Sequence, residues 1–219
     1  MSTDARAAIL GRIRSALADV PDAPEEVDTP IGWVYGRPRE MDDVIAQLED
    51  RVVDYRAGFQ RCTAAELPAR VVEALGSYGV GSVVLPDGLD AGLVDAVATA
   101  GVEVAVDDPP LDRRTLDVTG GVVTTCAVAA AETGTIMLDH GPGQGRRALS
   151  LVPDVHVCIV QADQVVSDVP EAVARLADAV RARRPITWIS GGSATSDIEL
   201  SRVEGVHGPR TLHVILVEG

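Results

Sequence analysis

Residues 80–106 read VGSVVLPDGLDAGLVDAVATAGVEVAV, and this stretch decides the fold. Val80 to Leu85 has the apolar run and length of a buried strand. Residues 90–100 carry a short helix, and Val102 to Val106 form a second strand. Strand, helix and strand in succession imply a parallel sheet with right-handed crossovers, so the chain is α/β. Strands follow at Ile136 to Leu138, Val155 to Val160, Ile186 to Ile189 and Thr211 to Val217. Pro170 to Arg183 reads as a helix with proline in its first turn. Leu116 to Thr119 reads as a short strand. Val122 to Ala131 is apolar throughout and is helix or strand by periodicity alone. Asp139 to Gly145 holds three glycines and a proline and is a loop.

Upstream, Thr63 and Glu66 form a capping box that opens a helix ending near Tyr78-Gly79. Residues 40–61 keep helical spacing through Val44, Leu48, Val52, Tyr55 and Phe59. Residues 3–18 form a further helix, capped by Thr3 or Asp4, with Ile9, Ile13 and Leu17 on one face. Residues 19–32 contain three prolines and several carboxylates and read as a linker. The layout is a helix and linker over 1–35 and an α/β domain over 36–219.

Composition narrows the function. A net charge of −14 opposes nucleic acid and anionic membranes, which need a basic surface. All 19 basic residues are arginine, so Schiff-base and Walker A lysine chemistry are excluded. Aromatic residues make up 3%, too few for base-stacking platforms. The three cysteines, Cys62, Cys126 and Cys158, are far apart and cannot hold a four-cysteine cluster. Cys158, inside an apolar run, reads as a buried inert thiol. The four histidines, His140, His156, His207 and His213, show no metal-binding helical spacing, so no metal is expected. No apolar stretch reaches the roughly 18 residues of a membrane span, and no signal peptide is read. A cytoplasmic protein without membrane insertion is expected.

Three polar, glycine-bearing stretches adjoin the apolar runs of the C-terminal half: residues 131–135, 189–199 and 205–209. A buried strand ending in Gly, Ser, Thr and a carboxylate is how an α/β sheet presents a ligand site. Glu132 is either a general acid or base at a strand end, or a carboxylate paired with Arg146 or Arg147. Thr133, Gly134 and Thr135 suit close backbone approach to a ligand. In Ser190, Gly191, Gly192, Ser193, Thr195, Asp197 and Glu199, hydroxyls and the amides of a short helix starting near Thr195 or Ser196 can hold an anion. Asp197 is a candidate base. His207, in a Gly-bounded turn, is a candidate for proton transfer, and His213 on a strand reads as structural. The loop Gly141 to Gly145 with Arg146 and Arg147 offers two guanidinium forks.

Four ordered motifs, together with the helix at Ala8 to Leu17, resemble the lactate utilization protein C (LUD domain) family. The motifs are Ala131 to Thr135; Leu149 to Pro153 with His156; Ile189 to Glu199; and Gly205 to Pro209 with Leu212-His213-Val214. The resemblance is strong from about residue 119 onward and loose over 20–115. It implies a three-layer fold with a mainly parallel sheet, like that of CoA transferases and phosphopentose isomerases. It also implies a part in oxidising L-lactate to pyruvate, beside partner proteins that carry the iron–sulfur clusters, with a small hydroxy- or keto-acid as ligand and no cofactor on this chain. Alternatives are a free-standing isomerase or CoA- or acyl-transferase-type enzyme with Glu132 as base or nucleophile, and a scaffold subunit. The sequence departs from the family loop, which usually has Pro at 192 and Arg at 194, where this chain has Gly192 and Ala194. It also has Ala127 where the family often has Asp.

Overall fold

The computed structural model describes residues 3–20, 24, 30, 32, 36–196, 202–204 and 208–219. The chain forms two compact units, Met1–Tyr35 and Gly36–Gly219. In the first, α1 covers Thr3–Ala16. No helix of the described residues is long and apolar enough to cross a membrane.

The second unit is built on a six-stranded sheet. Its strands are β1 (Gly58–Thr63), β2 (Ser82–Val84), β3 (Glu103–Ala105), β4 (Gly121–Thr125), β7 (Val155–Gln161) and β12 (Thr211–Glu218). They run in the order β1-β12-β7-β4-β2-β3, and every pairing is parallel. Parallel strands need crossovers, and the helices supply them. The first are α2 (Val44–Asp54), α3 (Leu67–Ser77), α4 (Ala91–Thr99) and α5 (Arg113–Val118). One face of the sheet, with Val123, Val157, Ile159 and Ile215, buries against Val71, Leu75, Leu93 and Val97 of α3 and α4.

The opposite face meets a second sheet. Beyond β4 the chain runs through Cys126 and Ala127 into β5 (Val128–Ala130). β7 likewise continues through a single 3-10 turn into β8 (Val165–Val166). With β6 (Thr135–Leu138) and β9 (Thr187–Ile189) these form a four-stranded mixed sheet, β8-β5-β6-β9. Ala129, Ala131, Ile136 and Leu138 pack on Cys158, Val160, Leu212, Val214 and Leu216, and Leu48 and Val52 of α2 join them. Period-two alternation explains this: Ile136 and Leu138 face the first sheet, while Met137 faces Ala172 and Leu176. Those two belong to the helical segment over the outer face, which comprises α6 (Val169–Arg175) and α7 (Ala177–Arg181).

Four expectations change. The helix in 40–61 is shorter. Asp43 caps α2 through the N–H groups of Ile45 and Ala46, both at 2.9 Å, but Arg56 takes φ 62° and ends the helical path. Phe59 therefore lies in β1, and its i+4 spacing from Tyr55 is coincidental. Leu116 to Thr119 lies largely in α5, because the Asp112 carboxylate caps Thr115 N–H at 2.8 Å and the helix buries Leu116. Pro170 to Arg183 is two short helices divided at Leu176. The helix expected near Thr195 is instead a strand, β10 (Ala194–Ser196), paired antiparallel with β11 (Arg202–Glu204). The Thr63–Glu66 box does form, with Glu66 accepting from the N–H and hydroxyl of Thr63 at 2.9 Å each, ahead of a helix that begins at Leu67.

Candidate functional site

A doubly wound sheet offers its usual ligand crevice where neighbouring strands send their chains to opposite sides. Here that point lies at the carboxyl ends of β2 and β4. The glycine loop 141–145 crosses it. Thr125 N–H donates to Gly143 O, and Gly143 N–H donates to Asp87 O, both at 2.8 Å. Gly143 sits at φ 74°, and a Cβ there would lie 2.8 Å from Thr125 Oγ1, so the closure requires glycine. An open hollow beside the loop is lined by Pro86, Asp87, Asp107 and His140, among others.

The arginines that follow are not equivalent. Arg146 forms a bidentate pair with Asp107 at 2.7 and 2.9 Å and donates to Leu111 O at 2.7 Å. This guanidinium holds the Asp107 carboxyl below the usual carboxylate range. A depressed carboxyl contributes stability that is present above its unfolded value, about 3.9, and is lost as pH falls through its folded value. Arg146→Met is therefore expected to cost about 1 kcal/mol near pH 7, discounted for solvent screening. It should cost progressively less below about pH 4. Denaturation at pH 7 and at pH 3 checks this. Arg147 is exposed.

A cavity of about 260 Å³ lies between the two sheets, beside the turn that leaves β9. Thr187, Trp188, Ile189 and Ser190 to Ser193 form one wall. Ser150, Leu151, His156, Gly208, Pro209 and Leu212 complete it. The turn is held from both sides. Gly191 adopts φ 86°, and a Cβ there would lie 2.6 Å from Tyr55 Cβ at the end of α2. A Cβ on Gly192 would collide with Arg210 O, and Ser193 N–H donates to Pro209 O at 2.7 Å. The N–H groups of Gly191 and Gly192 have no acceptor among the described residues. Gly192 thus lets the two loops close on each other.

Hydroxyls link this turn to the 132–135 segment. Thr133 Oγ1 donates to Thr135 Oγ1 at 2.8 Å, and Thr135 Oγ1 pairs with Ser190 Oγ at 2.9 Å. Gly134, at φ 62°, packs on α2, where an added Cβ would lie 2.6 Å from Arg51 Cβ. Glu132 does not reach the cavity. It forms an ion pair with Arg39, in a separate hollow shared with Asp42, Asp43 and Arg51. Neither Arg146 nor Arg147 is its partner. Asp197, Glu199 and His207 lie outside the described residues, as does the side chain of Thr195.

Thr187 and Trp188 are cavity residues that sequence reasoning did not select, and His156 entered it only within a family motif. His156 is 1% exposed on β7, and its Nε2 lies 2.8 Å from Thr124 Oγ1. Thr124 Oγ1 donates onward to Cys158 Sγ at 3.8 Å. The neighbouring Cys126, then His156 and Thr124, hold the Cys158 thiol below the ordinary range, and the same neighbour pushes Cys126 up. Cys158 is buried as expected. A histidine inside the run Val155 to Val160 needs a buried hydrogen-bond partner, and that was the available signal. Thr187 is fixed by His140. Its Nδ1–H donates to Gly145 O at 2.8 Å, and its Nε2 pairs with Thr187 Oγ1 at 2.8 Å. Among the described residues, no three His, Cys, Asp or Glu side chains gather as metal ligands.

The family model described as the LUD domain matches residues 58–217. A Deinococcus radiodurans protein named lactate utilization protein C is 52% identical over 180 residues, covering 82% of this chain and 82% of that protein. A protein of the same name from Geobacillus thermodenitrificans is 28% identical over 199 residues, 84% of this chain and 82% of its own. The crystal structure of a DUF162 family protein from Deinococcus radiodurans shares 46% identity and a TM-score of 0.70, over 83% of this chain and 100% of that one.

Proposed function

The chain belongs to the LUD domain family, and from that premise we propose that it serves lactate utilization as a non-iron–sulfur component of a system oxidising L-lactate to pyruvate. Its part is to bind a small hydroxy- or keto-acid. The observation that carries this reading is the cavity at the Ser190–Ser193 turn, inside the family-matched region. Its volume, about 260 Å³, suits a small metabolite. The amides of Gly191 and Gly192 supply adjacent donors for a carboxylate, and Ser190, Thr187 and His156 supply polar contacts around it. The clusters that accept electrons belong to partner subunits in this reading. The ion pair between Glu132 and Arg39 favours it over a free-standing transferase with Glu132 as nucleophile, because an attacking carboxylate has to be free and at the cavity.

The test has two parts. The tagged protein is isolated from its native cells grown on L-lactate, and the eluate is assayed for iron–sulfur proteins and lactate-dependent dye reduction. Deletion of the gene is expected to abolish growth on L-lactate as sole carbon source. A clean, inactive single protein together with normal growth of the deletion strain would contradict the proposal.

A further inference from the structure

Among the described residues, the ring of His156 is the one buried titratable group that lines the cavity. Its orientation follows from a hydrogen-bond chain. Thr124 Oγ1 gives its proton to Cys158 Sγ, so its lone pairs are left to accept from His156 Nε2–H at 2.8 Å. With its proton on Nε2, the ring presents Nδ1 as an acceptor. Among the described residues, Nδ1 has no partner. Among the described residues, the buried side-chain polar atoms without one are Gln60 Oε1 and His213 Nε2, and Nδ1 of His156 is not among them. It therefore opens on the cavity that the ring lines. Strand register makes the arrangement rigid, because Val122, His156 and Leu212 stand opposite one another across β4, β7 and β12.

We infer that His156 Nδ1 is the specificity-determining acceptor of this cavity, reading the hydroxyl of a small 2-hydroxy acid and disfavouring the corresponding 2-keto acid. The inference rests on the ligand reading above and deepens it. A hydroxyl donates to a lone pair. A keto oxygen in the same place sets two acceptors against each other and leaves both unpaired. Thr124 is a positioning residue, because its bond holds the proton on the far nitrogen.

The experiment uses the full chain at pH 8. Calorimetric titration with L-lactate and with pyruvate is expected to show L-lactate binding at least about tenfold more tightly. His156→Gln keeps an amide within reach of Thr124 but removes the Nδ1 acceptor. It is expected to weaken L-lactate to the level of pyruvate and leave pyruvate nearly unchanged. Because that variant can fail to fold, nitrogen-15 NMR of the wild-type ring provides an independent reading, and an Nε2–H tautomer is expected. An Nδ1–H tautomer, equal affinities in the wild type, or an unchanged ratio in a folded His156→Gln chain each overturns the hydroxyl reading alone. Absence of binding by either acid overturns the ligand assignment and this inference with it.

Discussion

Replacing Gly192 by alanine is expected to destabilise the chain by about 3 kcal/mol, lowering the melting temperature by about 6–12 °C. Acid binding should be abolished with it. The added Cβ meets a backbone oxygen, that of Arg210, and its carbonyl carbon at 3.2 Å. A side chain could rotate away, but these atoms belong to the segment leading into β12, which Thr211 N–H ties to Asp154 O at 3.1 Å. Relief must therefore come from moving the Ser190–Ser193 wall away from Pro209, which opens the cavity. A thermal melt and a lactate titration on the same preparation check both halves. A melting temperature within about 2 °C of wild type would mean that the 209–210 backbone yields freely.

Leu138→Ala is the second large effect. Leu138 is fully buried on the inner face of the four-stranded sheet, in the cluster that contains Leu212, Val214 and Leu216 of β12. Truncation removes its apolar contacts and leaves a void, at a cost of about 2–5 kcal/mol. The same residue pairs with Thr187 across β6 and β9, so the void lies beneath one cavity wall. The denaturant midpoint should fall strongly, with the slope of the transition unchanged. A loss below about 1 kcal/mol would show that the two sheets re-close over the gap, contrary to the packing described.

Much of the fold was legible because local signals agreed with the final packing. The 80–106 segment gives β2, α4 and β3 in the expected order, and Gly79, at φ 67°, follows the end of α3 as a C-terminal glycine should. The resemblance to the LUD domain family is borne out by the match over 58–217. Misreadings arose where one residue overrode a periodicity. Arg56 turns the chain out of α2, and Asp112 caps a helix in place of a strand.

The site was legible only in part, for a different reason. Ser190, Gly191, Gly192 and Ser193 were recognisable from a strand ending in small polar residues, and they do line the cavity. Their opposite wall comes from the start of β7 and the approach to β12, brought there by the stacking of one sheet on another. No local spacing encodes that stacking. For the same reason Glu132 reads either as a site carboxylate or as a partner of Arg146 or Arg147, although its partner is Arg39, 93 positions earlier in the chain. Thr187 and Trp188 sit in an ordinary strand pattern, and only the pairing of β9 with β6 brings them to the cavity wall.

The central claim is that the cavity at the Ser190–Ser193 turn holds a small hydroxy acid, and Trp188 reports on it directly. The chain has two tryptophans, Trp33 and Trp188, so the indole region of a proton–nitrogen NMR spectrum is simple to assign. Titration with L-lactate is predicted to shift the Trp188 indole resonance saturably. A Trp188 resonance that stays fixed while lactate binds elsewhere, or that never responds, would contradict the account.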